Sequence, residues 1–428
     1  MPASATMVKQ LTVAHVHASL GPASATKRSC CGESMLHARG LVAGAASAII
    51  TSAALRDVGR AVRAGPRRLT GRMPTVHYFH SVSDPWSLLA AQLLPALGAG
   101  YAVRFVPHLV GPPSAAAAPD AERLVEWGLR DCRRLAQAHG LAFLEPPKSA
   151  ADIAAAEADF APGQTRAKGE ALLAACGHYL PAVFSFEGET YWGIDRLPYL
   201  EARLAPFRKS AAPVVRQLEA SDAGNNLGCD ARGVSLDFFL SFRSPYSHLA
   251  AGRVRRLAER HGATLRLRPV LPMVMRGLPV PAAKRLYIVR DAKREAERLG
   301  IPFGRICDPV GAGVERGLAV LHRAVAVGRG ADFAESFLAG AFAEAVDATT
   351  DAGLRMLAER AGLTAGDVAL ALADEGWRAE AEANRTELLS LGLWGVPAFR
   401  VGSRPPHWGQ DRLWAVEQDL RAEAAAAQ

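Results

Sequence analysis

The alternation of apolar and polar positions in this chain is written twice. At 234–240 Val234, Leu236, Phe238 and Leu240 make a short apolar run with aromatic and β-branched content, which predicts a strand buried in a sheet. Ser244 then stands where an N-cap belongs and Pro245 at the first helical position; Tyr246, Leu249, Ala250, Val254 and Leu257 recur at helical spacing until Gly262. The same order begins earlier, at Thr75: a strand (VHYFHSV), a helix opening at Asp84-Pro85-Trp86, a second strand (YAVRFVPHL), a Pro/Ala linker, a helix over 121–139 and a further helical stretch. It closes in LPAVFSFEGETYWGIDRLPYLEARL, which reads as strand, turn at Glu187-Gly188, short strand and terminal helix.

The two runs align residue by residue. FHSVSDPWSLLAA meets LSFRSPYSHLAA with Asp84 against Ser244, and RDCRRLAQAHGLAF meets RDAKREAERLGIPF with Asp131 against Asp291, both at an offset of 160. LPAVFSFEGETYWGIDRL meets VPAFRVGSRPPHWGQDRL at an offset of 216, so the second copy carries a longer interval, about 311–392, that is helical by pattern. Thr364 with Asp367 looks like a capping box opening one helix of that interval. Four segments follow: a basic leader over 1–72, disordered or upstream of a start at Met73; a first unit over 73–205; a linker over 206–232 rich in Pro, Gly and Asn; and a second unit over 233–422.

Charge changes the picture once it is located. The chain has 428 residues and a net charge of +8, and residues 1–72 alone hold ten Lys or Arg against two Asp or Glu. The remaining charge is balanced, with 40 residues of each sign, so the globular part offers no electrostatic case for a nucleic-acid or membrane partner. Six cysteines without a C-x-x-C or zinc-ligand spacing point to reduced thiols and a cytoplasmic protein, with no metal. The longest uncharged apolar stretch near the start, 41–55, is interrupted by small residues and too short to span a bilayer.

The repeated unit, with its x-Pro step before the late strands, resembles the 2-hydroxychromene-2-carboxylate isomerase and kappa-class glutathione transferase family within the DsbA-like thioredoxin group. The carriers are Ser244-Pro245-Tyr246-Ser247, Lys284-Arg285-Leu286-Tyr287 with Asp291, Gly395-Val396-Pro397-Ala398-Phe399, and Trp408-Gly409-Gln410-Asp411-Arg412. The resemblance covers the second unit well and the first faintly. It implies an α/β chain of two tandem thioredoxin-like (DsbA-like) domains with helical insertions, the second insertion larger, and glutathione as cofactor.

Carried over position by position, Ser244 matches the family serine that faces the glutathione sulfur. A hydroxyl at a helix N-terminus favours a thiolate, although Ser244 acting only as a cap is the plain alternative. Pro397 matches the family cis-proline with Val396 pairing to the tripeptide; a trans proline beginning an edge strand fits the bare sequence equally. Asp411 matches the position that meets the γ-glutamyl ammonium, and Gln410 stands where the family often has Ser; helix capping is the alternative for both. Tyr246, Lys284 and Asp291 are read as substrate-binding, Lys284 being equally at home on a solvated helix face. His248, one turn into the first helix, is read as pocket wall.

The first copy departs from this set: Asp84 replaces the serine, Leu124 stands at the place of Lys284 and Ile194 at that of Gln410, which marks it as a degenerate partner. The functional expectation is a glutathione-dependent isomerase of the chromene-carboxylate type or a kappa-like transferase acting on an aromatic carboxylate or another small electrophile. The alternatives are a thiol-disulfide oxidoreductase relative without C-x-x-C and a non-catalytic scaffold. A homodimer, or intramolecular pairing of the two copies, is expected.

Overall fold

The structure, a computed structural model, describes residues 31–210, 212–220 and 229–426. Two four-stranded sheets organise it. The first contains β1 (Thr75–His80), β2 (Arg104–Leu109), β3 (Val183–Phe186) and β4 (Glu189–Trp192) in the order β2-β1-β3-β4. The second contains β5 (Ser235–Leu240), β6 (Thr264–Pro269), β7 (Ala398–Val401) and β8 (His407–Trp408) in the order β6-β5-β7-β8. In each, the opening strand pairs parallel with the second and antiparallel with the third, which turns back onto the fourth. The central strands are apolar on both faces because both faces are covered: Val76, Tyr78, Phe79, Leu236, Phe238, Phe239 and Leu240 are all buried.

A parallel pair needs a crossover, and here the units differ. The second uses one 17-residue helix, Pro245–His261, closed by Gly262 in the left-handed region. The first breaks its crossover into Pro85–Ala91 and Leu94–Gly100, because Pro95 is tolerated only in the opening turn of a new helix. The insertions also differ as expected. Three helices, Ala121–His139, Ala150–Phe160 and Arg166–Ala175, fill the first interval. The second holds Ala282–Leu299 and five α-helices between Ala312 and Ser390, with the Thr364–Asp367 capping box in place.

The alignment slips at the third strand. Phe79 pairs with Val183, whereas Phe239 pairs with Ala398 and Phe238 with Phe399, one residue out from the offset of 216. In the first unit Ala182 takes a left-handed φ of 59° before the strand; in the second the Val396–Pro397 peptide is cis. A one-residue slip exchanges the faces of a strand, and it is tolerated because all four residues of β3 are buried.

The units do not stand apart. One apolar cluster joins Tyr78, Trp86, Trp127 and Tyr191 of the first to Phe239, Leu388, Trp414 and Ala415 of the second. Part of the expected linker is strapped down too, since the Glu201 carboxylate accepts the Val214 and Val215 amides at 2.6 and 2.9 Å.

The leader requires a correction over its described part, while residues 1–30 lie outside the described residues. Cys31–Ile50 and Ala53–Thr70 are helices. Ser47 and Thr51 hydrogen-bond the backbone of Ile306 and Gly304, and Arg56, Arg60 and Arg67 pair with Glu297, Glu189 and Glu187 at 2.6, 3.0 and 2.8 Å. Apolar periodicity did not announce this packing because Val42, Ile49, Leu55, Val58, Val62 and Leu69 face solvent, and the contacts are made by hydroxyls, guanidinium groups and small residues.

Candidate functional site

The junction between β5 and the Pro245–His261 helix places Ser244 at the N-cap with extended backbone angles. Its Oγ accepts the Ser247 amide at 3.1 Å and donates to the Val396 carbonyl at 3.4 Å. The first bond is an ordinary cap; the second is long and leaves the hydroxyl proton available to a better acceptor. Gly395 is required beside it, because a Cβ there would lie 2.1 Å from the Trp408 ring. In the first unit Asp84 caps the matching helix, accepting the Ser87 amide at 2.7 Å, and burial pushes its carboxyl up to about 6 despite that bond.

Ser244 opens into a cavity of about 500 Å³ built by both units. The first supplies Trp86, Trp127, Tyr179 and Trp192; the second supplies Tyr246, Lys284, Tyr287, Val396, Pro397 and Trp408. Asp84 is not among its lining residues. The aromatic walls interlock, with Trp394 edge-on to Trp408 at 4.7 Å and Trp127 reaching Trp408 at 6.4 Å.

Two guanidinium groups cross the floor in opposite directions. Arg196 of the first unit donates to Asp291 at 2.8 Å and to Asp411 at 3.1 Å in the second. Arg412 of the second unit donates to Asp131 at 2.6 Å and to Asp195 at 2.9 Å in the first. Donor and acceptors correspond at the alignment offsets, so the two sets reciprocate as residues do across a two-fold interface. Burial pushes the Asp291 carboxyl up, but Arg196 and Arg294 outweigh it and hold it below its ordinary value. For Arg196, burial lowers the pKa and Asp291, Asp411 and Glu295 more than reverse it.

This network corrects part of the expected site. Asp291 borders the cavity but is 1% exposed, and its carboxylate already accepts from Arg196, Arg294 and the Tyr246 hydroxyl, which gives it a structural part in the joint. Gln410 is 1% exposed, donates to Glu295 at 3.0 Å and accepts from Arg253, which leaves its amide no free face. Asp411 keeps 19% of its side-chain exposure toward the cavity, with both oxygens already accepting from Arg196. Tyr246 lines the cavity with its hydroxyl spent on Asp291. His248 meets the Pro302 carbonyl at 2.9 Å between Phe303 and Phe342, and burial lowers its pKa; it is not among the lining residues.

Lys284 does face the cavity. Its Nζ donates to the Ala117 carbonyl of the first unit at 2.9 Å and lies 5.7 Å from the Tyr179 ring, and burial lowers its pKa. Arg276 was missed by sequence reasoning. Its Nη2 donates to the Trp394 carbonyl at 3.1 Å while its Nε is buried without a partner. It sits in a short turn, Met273–Arg276, with no periodicity to mark it; a lone Arg in an apolar turn was the available signal. No cysteine stands on the first turn of either crossover helix, and among the described residues no His, Cys, Asp or Glu group is placed to hold a metal ion. Nor is any described helix long and apolar enough to cross a membrane.

Known proteins resemble part of this chain. A curated 2-hydroxychromene-2-carboxylate isomerase from Sphingobium xenophagum is 27% identical over 199 residues, spanning 44% of this chain and 97% of the relative. A solved 2-hydroxychromene-2-carboxylate isomerase is 22% identical, covers 44% of this chain and 94% of its own, and superposes with a TM-score of 0.38. The cytosolic disulfide reductase DsbM from Pseudomonas aeruginosa with GSH is 21% identical over 45% of this chain and 98% of its own, with a TM-score of 0.36. The family model for the DSBA-like thioredoxin domain matches residues 235–421. With β5, the capped helix and the cis-Pro397 strand all inside that span, residues 235–421 are a DSBA-like thioredoxin domain.

Proposed function

We propose that this protein is a glutathione-dependent isomerase of the 2-hydroxychromene-2-carboxylate type, acting at Ser244 in the cavity between two tandem copies of one fold. The carrying observation is the Ser244 hydroxyl, half-buried at a helix N-terminus, opening into an aromatic cavity and held by only a long bond to Val396. The reciprocal Arg196 and Arg412 networks support reading the two units as duplicated copies facing each other.

The residues present fit the tripeptide in part. Val396 and cis-Pro397 border Ser244, and Lys284 brings a cation without a carboxylate partner among the described residues. The ammonium position is the poorer fit, because Arg196 already neutralises Asp411. When bound, glutathione supplies a thiolate that adds to a conjugated carbon and is expelled after bond rotation, unconsumed. Ser244 donates its O–H to the sulfur anion, and the positive end of the Pro245–His261 helix adds to that preference. Lys284 fixes a substrate carboxylate, and the tryptophans hold the ring and exclude water. Thiol-disulfide exchange lacks its thiols, since Ser244 and Ser247 stand where it needs them.

Titration calorimetry with glutathione, followed by turnover with chromene carboxylates and with chlorodinitrobenzene, tests this reading. Saturable glutathione binding and isomerisation without net consumption of the thiol are expected. Absence of glutathione binding at millimolar concentration sinks it.

A further inference from the structure

Beside the Ser244 cavity lies a second one, of about 580 Å³, walled by Trp377, Arg378 and Arg385 of the Gly376–Ser390 helix, by Leu278 and by Pro119 and Asp120 of the first unit. Leu271, Arg276 and Trp394 form a partition common to both cavities. The charges on the new wall are mostly spent: Arg378 pairs with Glu375 and Glu315, Arg385 with Glu382, and Asp120 with Arg123. Arg276 is the exception. It has no carboxylate within ion-pair distance among the described residues, its one hydrogen bond goes to a carbonyl, and its Nε is buried and unbonded. Burial and the nearby Arg385 work against its charge, and Glu382 on the same wall offsets them only in part. A desolvated guanidinium without a counter-ion is costly to keep, and the cost is recovered when an anion completes it. Guanidinium is also the group whose planar fork best matches a carboxylate.

We propose that this second cavity is a separate binding site for a small aromatic carboxylate, its anion held by Arg276 and its ring between Trp377 and Trp394. The site does not depend on glutathione and does not use Ser244. Leu278 is half-buried, lines only this cavity and belongs to a loop, so Leu278→Trp fills the space without opening the core.

The probe is 1-naphthoate, titrated calorimetrically into the full chain without glutathione, with 1-naphthalenemethanol as its uncharged counterpart. Naphthoate should bind at least tenfold more tightly than the alcohol. Arg276→Met should weaken it tenfold or more, Arg276→Lys should fall between, and Leu278→Trp should abolish it with an unchanged melting temperature. Lys284→Met, whose side chain lines only the Ser244 cavity, should alter it less than threefold. No naphthoate binding, equal binding of the alcohol, or full affinity in Leu278→Trp overturns the proposal. Loss confined to Lys284→Met also overturns it, by placing the anion in the Ser244 cavity. Should Arg276→Met fail to fold, the Leu278→Trp and Lys284→Met pair decides alone.

Discussion

Ser244 and Asp84 occupy the same structural position, yet chemistry separates them. Both cap a crossover helix, but the serine keeps a transferable proton over an open cavity whereas the aspartate is turned into protein. Ser244→Ala should therefore lower kcat of the proposed isomerase about 100- to 1,000-fold, roughly 2.7–4 kcal/mol of lost anion stabilisation, with glutathione affinity changed only a few-fold. Steady-state kinetics beside calorimetry measure both; full activity in the variant refutes the mechanism. Asp84 gives a pH test. Its folded pKa of about 6 lies above the ordinary aspartate value of 3.8, so between those values the folded chain retains a proton the unfolded chain releases. Its contribution to stability accordingly falls as pH rises through that window and stays unfavourable above it. Asp84→Asn, which keeps a cap acceptor, should stabilise the protein by about 1–3 kcal/mol at pH 8, with the gain vanishing below pH 4. Denaturant midpoints across that range give the answer, and a gain independent of pH counts against the assignment. The residue types at these caps were readable in the chain; which of them faces a cavity was not, because that depends on how the second unit is turned against the first.

At the level of elements, the two 3-10 turns Ile194–Arg196 and Gln410–Arg412 carry the joint between the units. Arg196 is buried with three carboxylates of the other unit, Asp291, Asp411 and Glu295, and Arg412 with two, Asp131 and Asp195; truncating either arginine strands its carboxylates. Arg412→Met and Arg196→Met should each cost about 3–5 kcal/mol, the range for breaking a buried pair from one side. A loss in either below 1 kcal/mol, read from urea unfolding, shows the network to be dispensable. Sequence alignment had matched the aspartates of these turns and read them as ligand contacts or caps. Their partners are about two hundred residues away in the other unit, and neither spacing nor periodicity within one unit can display such a pairing. The capping box at Thr364, by comparison, was legible because its donors and acceptors lie three residues apart.

Across the whole molecule, the reciprocity of the joint makes a prediction of its own. Arg412 finds Asp131 and Asp195, whose counterparts in its own unit are Asp291 and Asp411. A chain of residues 229–428 therefore carries both halves of the pairing and, with Phe239, Leu388 and Trp414 uncovered, should form a two-fold dimer in which each Arg412 reaches the partner's acidic pair. Sedimentation equilibrium showing a stable monomer at micromolar concentration argues against a shared interface of this kind. The order of strands, the unequal insertions and the position of the Ser244 cap were determined by the sequence itself, because apolar period, cap chemistry and proline act over a few residues. The use of Asp291 and Gln410 as framework, an Arg276 with no ion-pair partner among the described residues and the docking of the basic helices 31–70 were decided only by the tertiary structure. Each depends on which charge finds a partner across the joint, and burial makes that choice after the chain has folded.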